Sequence, residues 1–447
     1  MEDLFMNNSK GKIIAKMIIF GLIFLILSGL ISFVLNPPAE FIRYSINDMY
    51  EEDNIDVVYV GASRYYRAFD PAVIDPITNK KSINIGSAGQ SSIDTYYLMK
   101  EVFKKHNPEY VVLDLNRNRI EGNINSNHTR TLTSNINFSA NKLEWIKSVF
   151  DYNEYYTALF PGFNEARPQY IISRAPIHNI QKKLSSGYRN YDYSSLDMES
   201  IYKGRGFLYT DKGYEKGGSG RQGAPERWDE SRISAEKIEW FRKVVELCNQ
   251  HNAKVLLVCP PVAYGNMIVD EQGFLDYAND FAKELGVDFI DFNLVRESKY
   301  QREDPHFYDR RHMTSHGGES FSKMFGEYLR DYSDGSLDEN EYLYSDFQEL
   351  LDHSRFLFSA WCEYDKEAQD IVTKYTAGAG EYDVEYQYLY NTKDDKEFKV
   401  YRDYDDNPYA QIEKLPEDAY KIRVQVREKG SEEHQQFYVN KISKIIK

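Results

Sequence analysis

The chain of 447 residues contains five short runs typical of β-strands, separated by helix-forming segments, and this alternation constrains its fold more than any other feature. A short apolar run that is bounded by turn residues predicts a strand buried on both faces. Strands that alternate with amphipathic helices predict an α/β domain whose parallel sheet is covered on both faces. The predicted strands are 57–60, 82–86, 110–115, 254–259 and 287–291, and the predicted helices are 93–106, 234–251 and 274–285.

The first predicted strand leads directly to a serine. Val57–Val60 stops at Gly61, which allows the chain to turn sharply, and Ser63 follows two residues later. We therefore expect Ser63 at the carboxyl edge of the sheet, where open α/β sheets bind their ligands. On this stretch alone, a buried strand that is followed by an ordinary turn serine is the preferred interpretation.

A second informative stretch lies far downstream, after the last predicted strand. Asp309 and His312 are three residues apart, and this spacing lets a carboxylate reach the Nδ1–H of an imidazole on a tight turn. The carboxylate would fix the tautomer and leave Nε2 to take a proton from a serine, which is a weak nucleophile without such a base. A surface ion pair explains most isolated D-x-x-H sequences. Together with a serine after the first strand, the pattern predicts a triad of Ser63, His312 and Asp309.

With these blocks in this order, the chain resembles the SGNH (GDSL-like) hydrolase superfamily over roughly residues 55–333. Gly61-Ala-Ser63 is similar to the G-D-S element of that family, with Ala62 in place of the usual Asp, and Asp309 and His312 match its last block. The resemblance implies a flavodoxin-like, three-layer α/β/α domain and serine-dependent ester chemistry.

The resemblance also implies an oxyanion hole formed by the backbone N–H groups of Ser63 and Gly89 and by the side-chain amide of Asn118. A glycine at position 89 would let its N–H approach a substrate without a side chain in the way. Both glycines of the family's third block are replaced, by Asn116 and Arg117, so Asn116 is an alternative donor. The structural alternatives are that Gly89 serves a turn and that Asn118 caps a loop.

The amino-terminal region contains a long uncharged stretch. The nineteen residues from Met17 to Leu35 would form a helix of about 28 Å, close to the thickness of the hydrocarbon core of a bilayer. Lys10, Lys12 and Lys16 precede it, so the positive-inside rule predicts a cytoplasmic amino terminus and an extracytoplasmic remainder. A cleaved signal peptide is the competing interpretation, but the stretch is longer than an h-region and no A-x-A site follows it. We expect a single-pass protein of the cell membrane.

Changes in composition predict the other boundaries. Residues 121–233 interrupt the alternation of strands and helices and form a predicted insertion that is rich in Tyr, Asn and Arg. We expect this insertion to be either a lid or substrate wall, or a surface excursion. Its Gly-rich segment 216–223 is expected to be mobile. The predicted divisions are a cytoplasmic tail 1–16, an anchor 17–35, a polar tether 36–54, an α/β domain 55–335 with an insertion 121–233, a linker 336–353 and a β-sandwich 354–447.

The carboxyl-terminal part shows the period-two pattern of antiparallel strands with one polar face. Tyrosines at 386, 388 and 390 alternate with other residues, and so do Tyr420, Ile422, Val424 and Val426. The region resembles triple-tyrosine modules that are attached to extracellular bacterial proteins. Cross-strand packing of the tyrosines is the simpler explanation for them, and we prefer it to a binding role.

The composition bears on the classes of partner. The net charge of −15 argues against nucleic-acid binding, and no basic patch with interleaved aromatic residues occurs. The three cysteines, Cys248, Cys259 and Cys362, lack the spacing of a disulfide framework, a metal site or a redox motif. The sequence therefore predicts no metal and no cofactor.

Membrane-anchored members of the superfamily include DltD-like and AlgX/AlgJ-like proteins, which the chain resembles in its anchor and its Tyr-rich insertion. The resemblance implies an extracytoplasmic, serine-dependent O-acyltransferase or esterase. It would act on acetyl or D-alanyl groups of an envelope polysaccharide or teichoic-type polymer, with a membrane-bound O-acyltransferase as a potential partner. The alternative is a catalytically silent scaffold that binds the polymer or the acyltransferase. A secreted lipase is a third, weaker hypothesis, because the polar, Arg-rich insertion does not indicate an apolar acyl pocket.

Overall fold

The computed structural model describes residues 2–192, 200–210, 221–222, 228–263, 271–302, 306–309, 311–354, 357–431 and 436–446. Apart from the backbone of 221–222, the segment 216–223 that was predicted to be mobile lies outside these residues. The chain divides into two compact units, Met1–Glu51 with Ile124–Met198 and Glu52–Asn123 with Glu199–Lys447.

The two units are built from the following elements. The helices are α1 (Glu2–Leu35), α2 (Glu40–Glu51), α3 (Tyr65–Ala68), α4 (Pro71–Thr78), α5 (Ser92–Val102), α6 (Arg117–Ile120), α7 (Ser126–Asn135), α8 (Ala140–Val149), α9 (Tyr155–Leu159), α10 (Pro168–Ile171), α11 (Ala175–Leu184), α12 (Ser186–Arg189), α13 (Ala235–Gln250), α14 (Glu271–Leu285), α15 (Ser315–Asp334), α16 (Glu339–Tyr342), α17 (Phe347–His353) and α18 (Ile442–Ile445). The strands are β1 (Val57–Val60), β2 (Ser82–Asn84), β3 (Tyr110–Asp114), β4 (Ile201–Tyr202), β5 (Leu208–Tyr209), β6 (Arg221–Gln222), β7 (Lys254–Cys259), β8 (Asp288–Asp291), β9 (Leu357–Asp365), β10 (Asp370–Ala377), β11 (Val384–Thr392), β12 (Lys399–Asp405), β13 (Tyr409–Ala410), β14 (Ala419–Glu428) and β15 (Gln436–Lys441).

The second unit contains the predicted parallel sheet. Its strand order is β2-β1-β3-β7-β8, and every neighbouring pair is parallel. If the five strands are counted in chain order, this is the 2-1-3-4-5 order of flavodoxin-like folds. Every residue of β1, β2 and β3 is buried, as the apolar runs predicted for strands covered on both faces. The predicted α/β class is confirmed.

The helices beside this sheet begin and end largely where their sequence signals predict. The side chain of Ser234 accepts a hydrogen bond from the backbone N–H of Lys237 and caps α13. Gly286 follows α14 with a φ of +68°, the left-handed conformation that glycine adopts at helix ends. The prediction of 93–106 was too long, because α5 ends at Val102. There the chain tightens into i→i+3 bonds, from the N–H of Lys104 to the carbonyl of Glu101.

The first unit contains the apolar helix. Residues Gly11–Leu35 of α1 are long and apolar enough to cross a membrane. The predicted polar tether 36–54 is wrong for most of its length, since 40–51 form α2. That helix buries Tyr44, Ile46 and Met49. Residues 124–192, which belonged to the predicted insertion, pack with α1 and α2 in this unit.

The predicted linker 336–353 is also folded. It contains α16 and α17, whose apolar residues join the core that lies on one face of the parallel sheet. Tyr342 and Leu350 are buried in this core together with Phe321 and Phe325 of α15. The segment is therefore part of the α/β domain.

The carboxyl-terminal region forms two sheets with a common core. The strand orders are β13-β10-β9 and β12-β11-β14-β15-β6, and all pairs are antiparallel except that of β15 with β6. Ile422, Val424 and Val426 are fully buried, as their alternation predicted. The tyrosine alternation in β11 breaks, because Leu389 is buried and Tyr390 is only half-buried. The pairing of β11 with β12 shifts its register at this point.

We expect Leu350→Ala to lower the free energy of unfolding of the full-length protein in detergent by about 2–5 kcal/mol, because it leaves a cavity in a closed core. Leu351→Ala, the same substitution at a half-buried neighbour, is the control and should cost clearly less. Chemical denaturation measures both values. Equal and negligible losses would mean that α17 does not belong to the core.

Candidate active site

Ser63 lies on the turn between β1 and α3, at the carboxyl edge of the sheet. The turn is closed by a hydrogen bond from the N–H of Tyr65 to the carbonyl of Ala62. Gly61 is required where the strand ends, because a Cβ at this position would overlap the Cβ of Asp114 on the neighbouring strand. The close approach of β1 and β3 therefore fixes where the serine emerges.

The structure brings the three predicted triad residues together. The Oγ of Ser63 lies 2.7 Å from the Nε2 of His312. The Nδ1 of His312 lies 2.8 Å from Oδ2 of Asp309. When Nδ1 carries the proton that is donated to the carboxylate, Nε2 accepts a hydrogen bond from the serine hydroxyl. The arrangement is continuous from the carboxylate to the hydroxyl.

The loop that carries the histidine is closed tightly, which explains why a spacing of three residues suffices. Oδ1 of Asp309 accepts hydrogen bonds from the backbone N–H groups of Arg311 (2.7 Å) and His312 (2.8 Å). The N–H of Tyr308 donates to the carbonyl of His312 (3.0 Å). Burial acts to raise the pKa of Asp309, but the hydrogen bond and charge of His312 and the two backbone donors outweigh it, so the pKa lies below its ordinary value.

The imidazole is also held from one side by a stack of planar groups. The ring of Tyr308 lies 5.5 Å from the ring of His312, with an angle of 17° between their planes. The guanidinium of Arg67 lies over the ring of Tyr308, 4.7 Å from its centroid. Burial raises the pKa of Tyr308 to about 12, so its hydroxyl stays neutral at physiological pH. The stack restricts rotation of the imidazole away from the serine.

A buried carboxylate connects the serine turn to the loop after β3. Oδ2 of Asp114 accepts a hydrogen bond from the N–H of Ala62 (2.9 Å), and Oδ1 accepts one from the side-chain amide of Asn116 (2.6 Å). The Nε of Arg119 lies 3.6 Å from Oδ2. Asp114 and Arg119 are almost completely buried, so this is an internal ion pair.

The predicted oxyanion donors lie on the loops next to the serine turn. Gly89 is exposed on a turn after β2 and has a φ of +62°, so glycine is favoured there for conformational reasons. The same loop is bonded to the serine turn through the N–H of Ser87, which donates to the carbonyl of Gly61 (3.1 Å). Asn116 uses its amide on Asp114, as described above.

The two asparagines of the third block therefore differ in their roles. The side-chain oxygen of Asn116 accepts a hydrogen bond from the N–H of Asn118 and caps α6. The side chain of Asn118 is exposed and lines a cleft at the carboxyl edge of the sheet. Asn116 lines the same cleft but is buried and donates one amide hydrogen to Asp114, whereas the side chain of Asn118 is exposed.

This cleft has an unusual number of arginines. It encloses about 420 Å³ when its open mouth is included, and Arg64, Arg117 and Arg311 line it together with one carboxylate, that of Glu271. Arg64 donates to the carbonyl of Pro260 (3.4 Å). Within the described part of the chain, neither Arg64 nor Arg311 forms an ion pair with a carboxylate. The cleft therefore presents three guanidinium groups and one carboxylate at the carboxyl edge of the sheet.

No family model matches the chain, and no curated protein matches it. Among solved structures it is similar to a GDSL-like lipase from Bacteroides thetaiotaomicron, with 12% identity and a TM-score of 0.30 over 66% of this chain and 98% of that one. It is also similar to a proposed acylhydrolase from Bacteroides fragilis, with 14% identity and a TM-score of 0.31 over 65% of this chain and 95% of that one. At these TM-scores the similarity adds nothing to the geometry of the site.

Sequence reasoning missed several residues around the triad. The role of Asp114 was not predicted, although its position at the end of the third strand indicates that it reaches the same sheet edge as Ser63. Arg64 and Arg311 were also missed. Each directly follows or precedes a predicted triad residue in the sequence, which was the available signal.

The lowered pKa of Asp309 predicts how stability depends on pH. Because the folded pKa lies below the ordinary value of 3.8, the carboxylate stabilises the folded protein at pH values above 3.8. This contribution is lost as the pH falls through the folded pKa. We expect Asp309→Asn to be less stable than the wild type at neutral pH, and the difference to vanish at low pH. Urea denaturation at a series of pH values measures it. A difference that stays the same at every pH would contradict this role of the carboxylate.

Proposed function

We propose that this protein is a serine-dependent enzyme that transfers or hydrolyses acyl esters. The observation that carries the proposal is the continuous contact from Asp309 through His312 to the hydroxyl of Ser63, with distances of 2.8 and 2.7 Å. A serine hydroxyl becomes a useful nucleophile only with such a base, and the base needs an orienting partner. Ser63 also lies at the sheet edge where ligands bind in this topology.

The residues have separate roles in the proposed reaction. The Oγ of Ser63 attacks the acyl carbon while Nε2 of His312 takes its proton, and Asp309 stabilises the resulting imidazolium. The N–H groups of Ser63 and Gly89 and the amide of Asn118 would bind the developing oxyanion. His312 then returns the proton to the departing oxygen, and an acyl ester on Ser63 is left. Water or a hydroxyl of the acceptor attacks that ester and restores the serine.

The proposed substrate is an acetyl or D-alanyl ester of a cell-envelope polymer. The arginine-lined cleft favours a polymer with negative charge, such as a teichoic-type polyphosphate, over a neutral one, because guanidinium groups bind phosphate and carboxylate. The proposed location is the outer side of the cell membrane. Lys10, Lys12 and Lys16 would keep the amino terminus in the cytoplasm, and a membrane-bound O-acyltransferase would be a suitable source of acyl groups.

Reaction with a fluorophosphonate probe tests the nucleophile in the full-length protein in detergent. We expect adduct on Ser63 in the wild type, none in Ser63→Ala, and labelling slowed at least about 100-fold in His312→Ala, because the base is lost. Ser336→Ala, at an exposed serine after α15, should label like the wild type. Mass spectrometry of the tryptic peptide locates the adduct. A folded wild type that fails to react would favour the scaffold hypothesis.

A second experiment tests the charge of the substrate. Loss of one charge-assisted contact costs about 1.5–3 kcal/mol, so Arg311→Gln should raise KM for an acylated teichoic-type polymer by about tenfold or more relative to KM for p-nitrophenyl acetate. Lys323→Gln, at an exposed lysine of α15, should leave the ratio of the two KM values unchanged. An equal effect of Arg311→Gln on both substrates would argue against an anionic polymer.

A further inference from the structure

Within the first unit, the residues Tyr155–Leu184, which we call the clasp, pack along the carboxyl-terminal half of α1. The hydroxyl of Tyr156 is hydrogen-bonded to the hydroxyl of Ser28 (2.8 Å). The ring of Tyr156 also lies 6.0 Å from the ring of Phe24. The contact thus begins near the middle of the apolar stretch, well before α1 ends at Leu35.

The backbone of the clasp approaches α1 very closely. The N–H of Gly162 donates to the hydroxyl of Ser32 (3.0 Å). A Cβ at position 162 would overlap the backbone of Ser32, so only glycine permits this approach. Close contact through glycine and serine, with hydroxyl hydrogen bonds across the interface, is the way that helices pack inside membranes.

The clasp also binds the end of α1, whose last four carbonyls have no partner within the helix. The side-chain amide of Asn179 donates to the carbonyls of Val34 (3.1 Å) and Leu35 (3.2 Å). The ammonium of Lys183 donates to the carbonyl of Phe33 (2.7 Å). The end of α1 is therefore held by side chains of the clasp and does not depend on water.

The thickness of the hydrocarbon core determines how deep these contacts would lie in a bilayer. A membrane-spanning helix needs about 20 residues. Any span of that length that begins between Lys12 and Met17 includes Phe24 and Ser28. Ser28 lies seven residues before Leu35, about 10 Å along the helix axis. If α1 spans a bilayer, Tyr156 lies at the depth of the acyl chains.

The clasp exposes large apolar side chains that no described residue covers. Ile172 is 84% exposed, and Ile171, Ile177 and Leu184 are at least half exposed. α1 also exposes large apolar side chains between Ile13 and Phe33, and these are the ones that would face lipid. The clasp contains four basic residues and one acidic residue in a chain whose net charge is −15. Arg167 and Arg174 are exposed, and exposed apolar side chains together with basic ones are typical of segments that lie in a membrane interface.

We propose that the clasp is embedded in the bilayer leaflet that is nearer the carboxyl-terminal end of α1. Tyr156 and the turn at Gly162 lie among the acyl chains, and Ile171, Ile172 and other exposed apolar residues insert at the interface. Arg167 and Arg174 then lie at the level of the lipid phosphates. The occupant of the apolar surface is thus lipid. This inference rests on the membrane anchor that forms part of the proposed function.

Depth-dependent fluorescence quenching tests the embedding in the full-length protein. An NBD fluorophore is attached to Ile172→Cys, to Val400→Cys on the exposed face of β12, and to Leu22→Cys in the middle of α1, and each protein is placed in phosphatidylcholine/phosphatidylglycerol vesicles. We expect lipids with a doxyl group on the acyl chain to quench the label at 172 at least about twofold more than the label at 400. Iodide in the water should quench the label at 172 less than the label at 400. The exposed side chains leave room for the label without disturbing the fold.

The label at position 22 distinguishes a failure of the proposed embedding of the clasp from a failure of the proposed membrane anchor. If the lipid quenches the label at 22 but not the label at 172, α1 spans the bilayer and the clasp lies in water, which overturns the inference alone. If neither label is quenched by the lipid, α1 is not a membrane anchor, and the proposed location fails together with the inference.

Discussion

The carboxylate of Asp114 is the constraint on which the candidate site depends. It is completely buried, and a buried charge is very unfavourable unless it is paired and hydrogen-bonded. Its oxygens bind the N–H of Ala62, the amide of Asn116 and, at longer range, Arg119. These contacts tie the turn of Ser63 and the loop after β3 to one fixed point. The serine side of the 2.7 Å contact between Ser63 and His312 is therefore anchored in the buried sheet edge.

The parallel sheet was predictable because its signal is local. β1 and β3 are buried on both faces, so a short apolar run is enough to identify each of them without knowledge of its neighbours. The segments 36–54 and 336–353 were mispredicted for the opposite reason. Their helices have between four and twelve residues and polar compositions. Burial of Tyr44 and of Leu350 comes from elements distant in sequence, which no local period reveals.

The site also contains parts whose signal is local in the sequence and parts that depend on contacts between distant elements. Asp309 and His312 lie on one tight turn, so their contact follows from their spacing. The arginine-lined cleft arises where several strand ends converge, and no single stretch of sequence contains that information. The different surroundings of Asn116 and Asn118 likewise depend on Asp114, whose carboxylate accepts a hydrogen bond from the amide of Asn116. A sequence can identify the type of donor here, but it does not reveal the neighbouring buried charge.

The end of α1 gives an independent reason to associate the clasp with lipid. A helix that ends in water needs no protein partners for its last carbonyls, because water satisfies them. A helix that ends among lipids must find donors within the protein. The clasp supplies such donors from Tyr170, Asn179 and Lys183, and the same segment exposes Ile172. Satisfied carbonyls inside and apolar side chains outside are the two features that a segment in a bilayer requires, and the clasp has both.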